Sequence, residues 1–350
     1  MPLEHFSLHT KLYFGQEPLA ALEALKEQDV FLITDRFLHE SGLTKAVTDR
    51  LKNRVTIFDQ VTPDPSLELV AQGVLAFRES HAGVILAFGG GSPMDCAKAI
   101  RHFSGHSCPL WCVPTTAGTG SEVTSFAILS DTSQGVKHAL VDHALLPDAA
   151  ILDPAFLAGV PPKITADTGM DVLTHAAEAY VARGAKPFTD ALAESAFVLA
   201  WKHLSAAHRG DPDAKAAMLK ASCMAGMAFN VAGLGICHSM AHAIGGTHHI
   251  PHGRINAMLL PTVIQWHAEL LPKVNRKYAH LAKRCGLTPT GRSLAAALRR
   301  LAASLGITDP LPRELDPVRI SRQAMEDRCT AGDPAPVTAD ALRKILEGLK

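Results

Sequence analysis

The sequence predicts an α/β N-terminal domain built on a parallel sheet, followed by an all-α C-terminal domain. Three observations predict it. Short apolar strands alternate with amphipathic helices as far as Leu152. Beyond Val160-Pro161-Pro162 no convincing strand follows, and Ala- and Leu-rich segments take over. The 350 residues, 47% of them hydrophobic, suffice for two cores. The boundary is therefore set near residue 160, giving domains 1–160 and 161–350.

Each element has a local reason. Pro18–Glu27 reads as helical, with Leu19, Leu22 and Leu25 at threefold spacing. Val30–Thr34, Val55–Phe58, Val84–Phe88, Leu110–Val113 and Ala149–Leu152 read as strands. Ser66–Arg78 reads as a helix with Leu67, Val70, Val74 and Leu75 on one side. In the second half, Asp190–Leu204 and Arg292–Leu305 are helical, and Gly306 is a natural stop. The Pro/Asp-rich stretches Arg209–Asp213 and Asp309–Arg313 read as loops within that half.

Composition excludes several classes. Lys plus Arg and Asp plus Glu are 34 each, so no basic excess exists for a nucleic-acid backbone. No apolar run is long enough to span a bilayer, and MPLEHFSLHT lacks the apolar core of a secretory signal. A cytoplasmic protein with no membrane or nucleic-acid partner is expected. The seven scattered cysteines read as reduced thiols.

Chemistry is expected in loops after the strands, where open α/β sheets bind ligands. Val84–Phe88 runs into Gly89-Gly90-Gly91-Ser92-Pro93-Met94-Asp95, a strand followed by glycines and a helix start. Ser92 reads as the N-cap, Pro93 as the first helical residue and Asp95 as a partner in a capping box. Glycines allow close backbone approach, and a helix N-terminus favours phosphate. The spacing is not G-x-G-x-x-G, so the usual dinucleotide fingerprint is absent. After the next strand, Pro114-Thr115-Thr116-Ala117-Gly118-Thr119-Gly120-Ser121-Glu122 offers small residues and hydroxyls suited to a diphosphate or ribose. Asp35, ending the first strand, reads either as acceptor for ribose hydroxyls or as an ordinary helix cap.

The histidines give the sharper signal. Asp171 and His175 share a helical face at i,i+4, as do His238 and His242, and Pro251-His252-Gly253 follows. One carboxylate and several imidazoles around one centre make a divalent-metal site, suited to Fe²⁺ or Zn²⁺ alike. His248 and His249 fit no such pairing and read as loop residues.

Taken together, Gly89–Asp95, Pro114–Glu122, Gly169–His175 and His238–Gly253 resemble the iron-containing (group III) alcohol dehydrogenase family over nearly the whole chain. Within it, Phe6–Tyr13 and Asp167–His175 are most similar to members found in propanediol-utilisation microcompartments. The resemblance implies NAD(H) and iron as cofactors, and NADH-linked reduction of short aliphatic aldehydes such as propionaldehyde to 1-propanol. It implies Asp171, His175, His238 and His252 as metal ligands. His242 would lie near substrate and nicotinamide without being a ligand, and Phe229 would line the substrate pocket. Cofactor contacts would fall on Asp35, Asp64, Gly90, Gly91, Ser92, Thr115, Thr116, Ser121 and Lys137. A homo-oligomer and microcompartment enzymes are the implied partners. Two departures stand out. The chain is shorter in its last third, and Gly332-Asp333-Pro334-Ala335-Pro336 stands where Asn-Pro-Arg-Pro is common.

On that reading the metal acts as Lewis acid, NADH supplies hydride, and His242 relays a proton. A zinc polyol dehydrogenase of the glycerol dehydrogenase type is the rival within enzymes. A catalytically idle, metal-bound structural or microcompartment-associated protein is the rival from another class. The complete Asp171/His175/His238/His252 set with its Pro-His-Gly segment favours the alcohol dehydrogenases.

Overall fold

The computed structural model describes residues 6–132, 136–248, 250–308, 311 and 314–349. The chain divides into two compact units between Gly159 and Val160.

The first unit contains β1 (Lys11–Phe14), β2 (Val30–Asp35), β3 (Val55–Val61), β4 (Val84–Gly89), β5 (Leu110–Pro114), β6 (Phe126–Asp131), β7 (Val136–Val141) and β8 (Ala149–Leu152). Its helices are α1 (Arg36–Glu40), α2 (Lys45–Thr48), α3 (Leu67–Ser80) and α4 (Gly91–Ser104). Six strands form one sheet in the order β1-β8-β5-β4-β2-β3, all parallel. β2 and β4 are buried on both faces, as a sheet covered on each side requires. Alternate residues serve two cores. Phe31, Ile33 and Ile85 pack with Phe77 and Ile100 on one face, and Leu32, Leu86 and Phe88 with Leu22 and Phe156 on the other.

This order creates a switch point. From β2 the chain moves to β3 on one side, and from β4 to β5 on the other. Neighbouring β2 and β4 thus send their outgoing loops apart, which leaves a crevice at their carboxyl ends. Asp35 and Gly89–Ser92 lie at those two ends.

Several local readings change. β1 is too short for a periodicity signal. β6 and β7 form a separate antiparallel hairpin, not read from the sequence because their alternation is broken. Pro18–Leu25 is a 3₁₀ helix. α4 starts at Gly91 with Gly90 as N-cap, so Ser92 caps nothing. Instead, Ser92 Oγ accepts the Asp64 N–H at 3.3 Å. Asp95 reaches away from its own helix end, to Ser121 Oγ at 2.6 Å and the Ile128 N–H at 3.0 Å.

Asp95 meets Lys98, whose side chain is fully buried. Lys98 Nζ donates to Ser121 Oγ at 2.7 Å, Thr124 Oγ1 at 3.2 Å and the Phe126 carbonyl at 2.7 Å. Burial pushes the Lys98 ammonium down and the Asp95 carboxyl up, and each charge partly offsets the other's shift. The network ties α4 to the Pro114–Glu122 loop.

The second unit is helical: α5 (Pro162–Val181), α6 (Pro187–His208), α7 (Pro212–Ala232), α8 (Ile236–His248), α9 (His252–Leu270), α10 (Pro272–Arg284), α11 (Gly291–Ser304), α12 (Pro317–Glu326), α13 (Arg328–Gly332) and α14 (Ala339–Glu347). α5 packs against α6, α7 and α9, and α8 against α9, α12 and α13. No strand follows Leu152 among the described residues. Among the described residues no single helix is long and apolar enough to cross a membrane. None of the seven cysteines is in a disulfide. Asp309–Arg313, expected as a loop, lies largely outside the described residues.

Lys98→Met strands the Asp95 charge beside polar groups built for an ammonium. The expected loss in the first unit is about 3–5 kcal/mol, the usual cost of breaking a buried pair from one side. Urea denaturation of a chain with Trp201 and Trp266 replaced by Phe, so that Trp111 alone reports, measures it. An unchanged midpoint would remove Lys98 from the account.

Candidate active site

The site in the helical unit begins with α5. Spacings of four and three residues place Asp171, His175 and Glu178 on one face, and all three are buried. α8 contributes His238 and His242, and α9 opens with His252. α9 approaches α5 this closely because residue 253 is glycine. A Cβ there would collide with the Asp167 carbonyl oxygen and stand 3.1 Å from Asp171 Cβ.

Asp171 is the centre. Its Oδ1 lies 3.7 Å from His238 Nε2 and 3.7 Å from His252 Nε2, and its Oδ2 lies 3.9 Å from His175 Nδ1. One donor atom each from Asp171, His238 and His252 falls within a 4.8 Å group. His175 is not in that group; its ring stacks on His238 at 4.5 Å between centroids. Phe229, near the end of α7, also lies against the His175 ring at 4.5 Å. Asn256 Nδ2 donates to Asp171 Oδ1 at 2.8 Å and lies 3.0 Å from His252 Nε2.

Glu178 organises α8. Its carboxylate accepts the N–H groups of Gly235 at 3.1 Å, Cys237 at 2.7 Å and His238 at 3.4 Å. It also sits 2.6 Å from His238 Nδ1. On the same helix end, Asp333 Oδ2 accepts the Ile236 N–H at 3.1 Å. Two buried carboxylates thereby satisfy the orphan donors of a helix start, where negative charge is favoured.

The electrostatics follow. Burial alone would lower the His238 pKa, but the hydrogen bond to Glu178 and the negative charges of Glu178 and Asp171 raise it to about 9. Burial would raise Asp171, but His175, His252 and His238 hold its carboxyl far below the usual range. Two acids thus share one imidazolium where a cation would stand. His238 Nε2 is buried without a hydrogen-bond partner, while Nδ1 is committed to Glu178. An imidazole nitrogen so presented to a carboxylate fits a divalent ion, with Asp and His donors suited to iron or zinc. The cluster is open on one side, where the His252 side chain is 37% exposed.

His242 stands apart from the ligand group. Its Nδ1 lies 2.8 Å from Asp327 Oδ2, and its ring stacks on His252 at 5.1 Å. His248 ends α8 and is not a loop residue; His249 lies outside the described residues.

In the α/β unit, Asp35 caps α1, with Oδ1 accepting the Leu38 N–H at 2.9 Å. Gly91 packs on the neighbouring loop, where a Cβ would stand 2.9 Å from Thr119 Cγ2, and Gly90 faces Thr116. The glycines therefore bring the two loops together, a closeness anticipated only for a ligand. Thr115 and Ser121 are buried, and the Ser121 hydroxyl is engaged by Asp95 and Lys98. Thr116 and Ser92 are partly exposed. The Lys137 side chain lies outside the described residues.

Glu178, Asn256, Asp327 and Asp333 were not anticipated. Glu178 and Asn256 carried a signal, since each continues the helical face of a proposed ligand. Asp333 was marked only by its place in the departure from Asn-Pro-Arg-Pro, and Asp327, remote in sequence, carried no signal.

Comparison with known proteins places the chain. Residues 9–154 match the iron-containing alcohol dehydrogenase model, and residues 165–349 match the C-terminal model of the Fe-containing alcohol dehydrogenase family. The 1-propanol dehydrogenase PduQ of Salmonella typhimurium is 42% identical, over 98% of this chain and 99% of its own length. The NADPH-dependent butanol dehydrogenase of Clostridium saccharobutylicum is 36% identical, over 98% and 97%. Among solved structures, a 1,3-propanediol oxidoreductase superposes with a TM-score of 0.92 at 32% identity, covering 99% of this chain and 100% of that one. An iron-containing alcohol dehydrogenase from Thermococcus thioreducens gives 0.93 at 28%, covering 99% of each.

Glu178→Gln keeps the size of the side chain but withdraws the charge behind His238. Metal affinity is expected to fall about 10- to 100-fold, as for other partners that orient a ligand. Competition with a chromophoric chelator measures it, with circular dichroism as a control on folding. Unchanged affinity in a folded variant would limit Glu178 to capping α8.

Proposed function

The chain belongs to the iron-containing alcohol dehydrogenase family, and from that premise we propose that it reduces short aliphatic aldehydes such as propionaldehyde to primary alcohols with NADH. The observation that carries the reading is the group of Asp171, His238 and His252 donor atoms within 4.8 Å, with His175 beside it. These four residues would hold iron, and zinc suits the same donors. Iron bound there supplies Lewis acidity to a carbonyl oxygen, and NADH supplies the hydride.

The protein's own residues do the rest. Glu178 keeps Nδ1 of His238 occupied, so that Nε2 faces Asp171. Phe229 supports His175 and offers an apolar wall to an alkyl chain. His242, one turn beyond His238, returns a proton to the product oxygen. Gly90, Gly91, Ser92, Thr115 and Thr116 offer backbone donors and hydroxyls to a diphosphate at the start of α4. Asp64 and Ser121 fasten these loops, and Lys137 completes the proposed set. The zinc polyol dehydrogenase and the idle structural protein are not favoured, since the relatives at 42% and 36% identity are alcohol dehydrogenases.

One relative is NADPH-dependent, so coenzyme choice rests on this chain's own residues. Asp35 sits at the switch point, where an acid accepts from ribose hydroxyls and repels a 2′-phosphate. Similarity to 1-propanol dehydrogenases supports cytoplasmic residence, inside a bacterial microcompartment and among its enzymes. β1 ends the sheet with Phe14 61% exposed, which supports a homo-oligomer built across that edge.

His238→Ala and His252→Ala are each expected to lose bound metal and nearly all propionaldehyde reduction. NADH binding persists, because its loops belong to the other unit. Metal analysis and NADH-oxidation assays check this; a variant with full metal and full turnover overturns the ligand set.

Wild type is expected to prefer NADH, and Asp35→Gly to narrow that preference by improving NADPH use. Each tenfold change in the ratio of kcat/KM values corresponds to about 1.4 kcal/mol. Equal use of both coenzymes by wild type would separate Asp35 from the ribose.

A further inference from the structure

Beside the ligand group, His242, Asp327 and Cys329 bring a second set of polar atoms within 4.8 Å. Asp327 lies between α12 and α13, and both its carboxylate oxygens are engaged. Oδ1 accepts the Cys329 N–H at 2.7 Å, which caps α13 and fixes the carboxylate. Oδ2 meets His242 Nδ1 at 2.8 Å. Burial would raise the Asp327 pKa, but the bond and charge of His242, then the Cys329 N–H, hold it near 2. Asp327 is therefore an anion that can only accept, and Nδ1 of His242 must be the donor. Burial keeps the Cys329 thiol protonated, so the trio presents no thiolate.

We propose that Asp327 is the positioning residue for His242: it holds the Nδ1–H tautomer, so that Nε2 is the atom exchanging a proton with the product oxygen. The inference rests on the proposed aldehyde reduction. Hydride from NADH forms the new C–H bond, and the C=O π pair moves to oxygen. That oxygen takes the proton from Nε2 of the His242 imidazolium, and NAD⁺ leaves. The ring becomes neutral, keeps Nδ1–H toward Asp327, and is reprotonated at Nε2 by solvent. A carboxylate behind an imidazole fixes the tautomer and steadies the imidazolium without taking the proton itself.

The test compares Asp327→Asn, Asp327→Glu and His242→Ala in the metal-loaded enzyme, with propionaldehyde and NADH. Asp327→Asn should lower kcat by about 10²–10⁴, the range of a general acid–base contribution, with KM for NADH and bound metal unchanged. Asp327→Glu should recover part of kcat. A second readout is independent of activity. In the zinc-loaded, ¹⁵N-histidine-labelled protein, the resonance lost in His242→Gln should show the Nδ1–H tautomer in wild type, and Asp327→Asn should shift it toward Nε2–H. A neutral wild-type His242 ring that carries its single proton on Nε2, with Nδ1 bare, overturns the inference, whatever the variants do. So does a second metal ion per chain that Asp327→Asn removes, which would make the trio a cation site. If His242→Ala retains full metal and unchanged turnover, the relay role in the proposed function fails. If His242→Ala is slow while Asp327→Asn matches wild type in kcat and tautomer, only the positioning role fails.

Discussion

The helical unit's site depends on the carboxylate of Glu178. One side chain on α5 takes three N–H groups at the start of α8 and the Nδ1 of His238. Three otherwise unsatisfied donors at a buried helix start would each cost free energy comparable to a lost hydrogen bond. Glu178 removes that cost and orients His238 in the same act. The position of His238, and through it that of His242, thus follows from a contact within the same unit that stabilises the fold as well as the site. Asp333 adds a second anchor, joining Ile236 N–H to His267 Nε2 at 3.0 Å. Arg183 ties down the same segment through the carbonyls of Asp333 and Ala335. The departure from the family's usual Asn-Pro-Arg-Pro is thus built into a network that reaches α8.

The α/β unit uses buried charge differently. Lys98 and Asp95 lie beneath the phosphate-loop candidates and bind Ser121, Thr124 and the Phe126 and Ile128 backbone. Such a pair adds little net stability, since desolvation offsets the attraction. What it supplies is a single arrangement of two loops that glycine lets touch. A preorganised loop needs less ordering when a diphosphate arrives.

Sequence periodicity exposed the βα alternation up to Leu152, the helical second half and the histidine spacing. It succeeded there because burial on one helix face or both sheet faces writes a regular apolar pattern. It failed at β1 and at the β6–β7 hairpin, where strands are short or unevenly patterned. It also assigned Ser92 to a cap that Gly90 provides, because a local motif cannot show which residue starts the helical dihedrals.

By itself the sequence determined the element types other than β1, β6 and β7, the division near residue 160, and the pairs Asp171/His175 and His238/His242 as helical neighbours. These follow from spacings within a few residues, where backbone geometry alone decides what faces what. Tertiary structure decided which pairs meet. His252 reaches Asp171 only because α9 closes on α5 at Gly253. Glu178 serves His238 across sixty residues of chain, and Asp327 serves His242 across eighty-five. Contacts between elements depend on packing of whole helices, which no local pattern encodes.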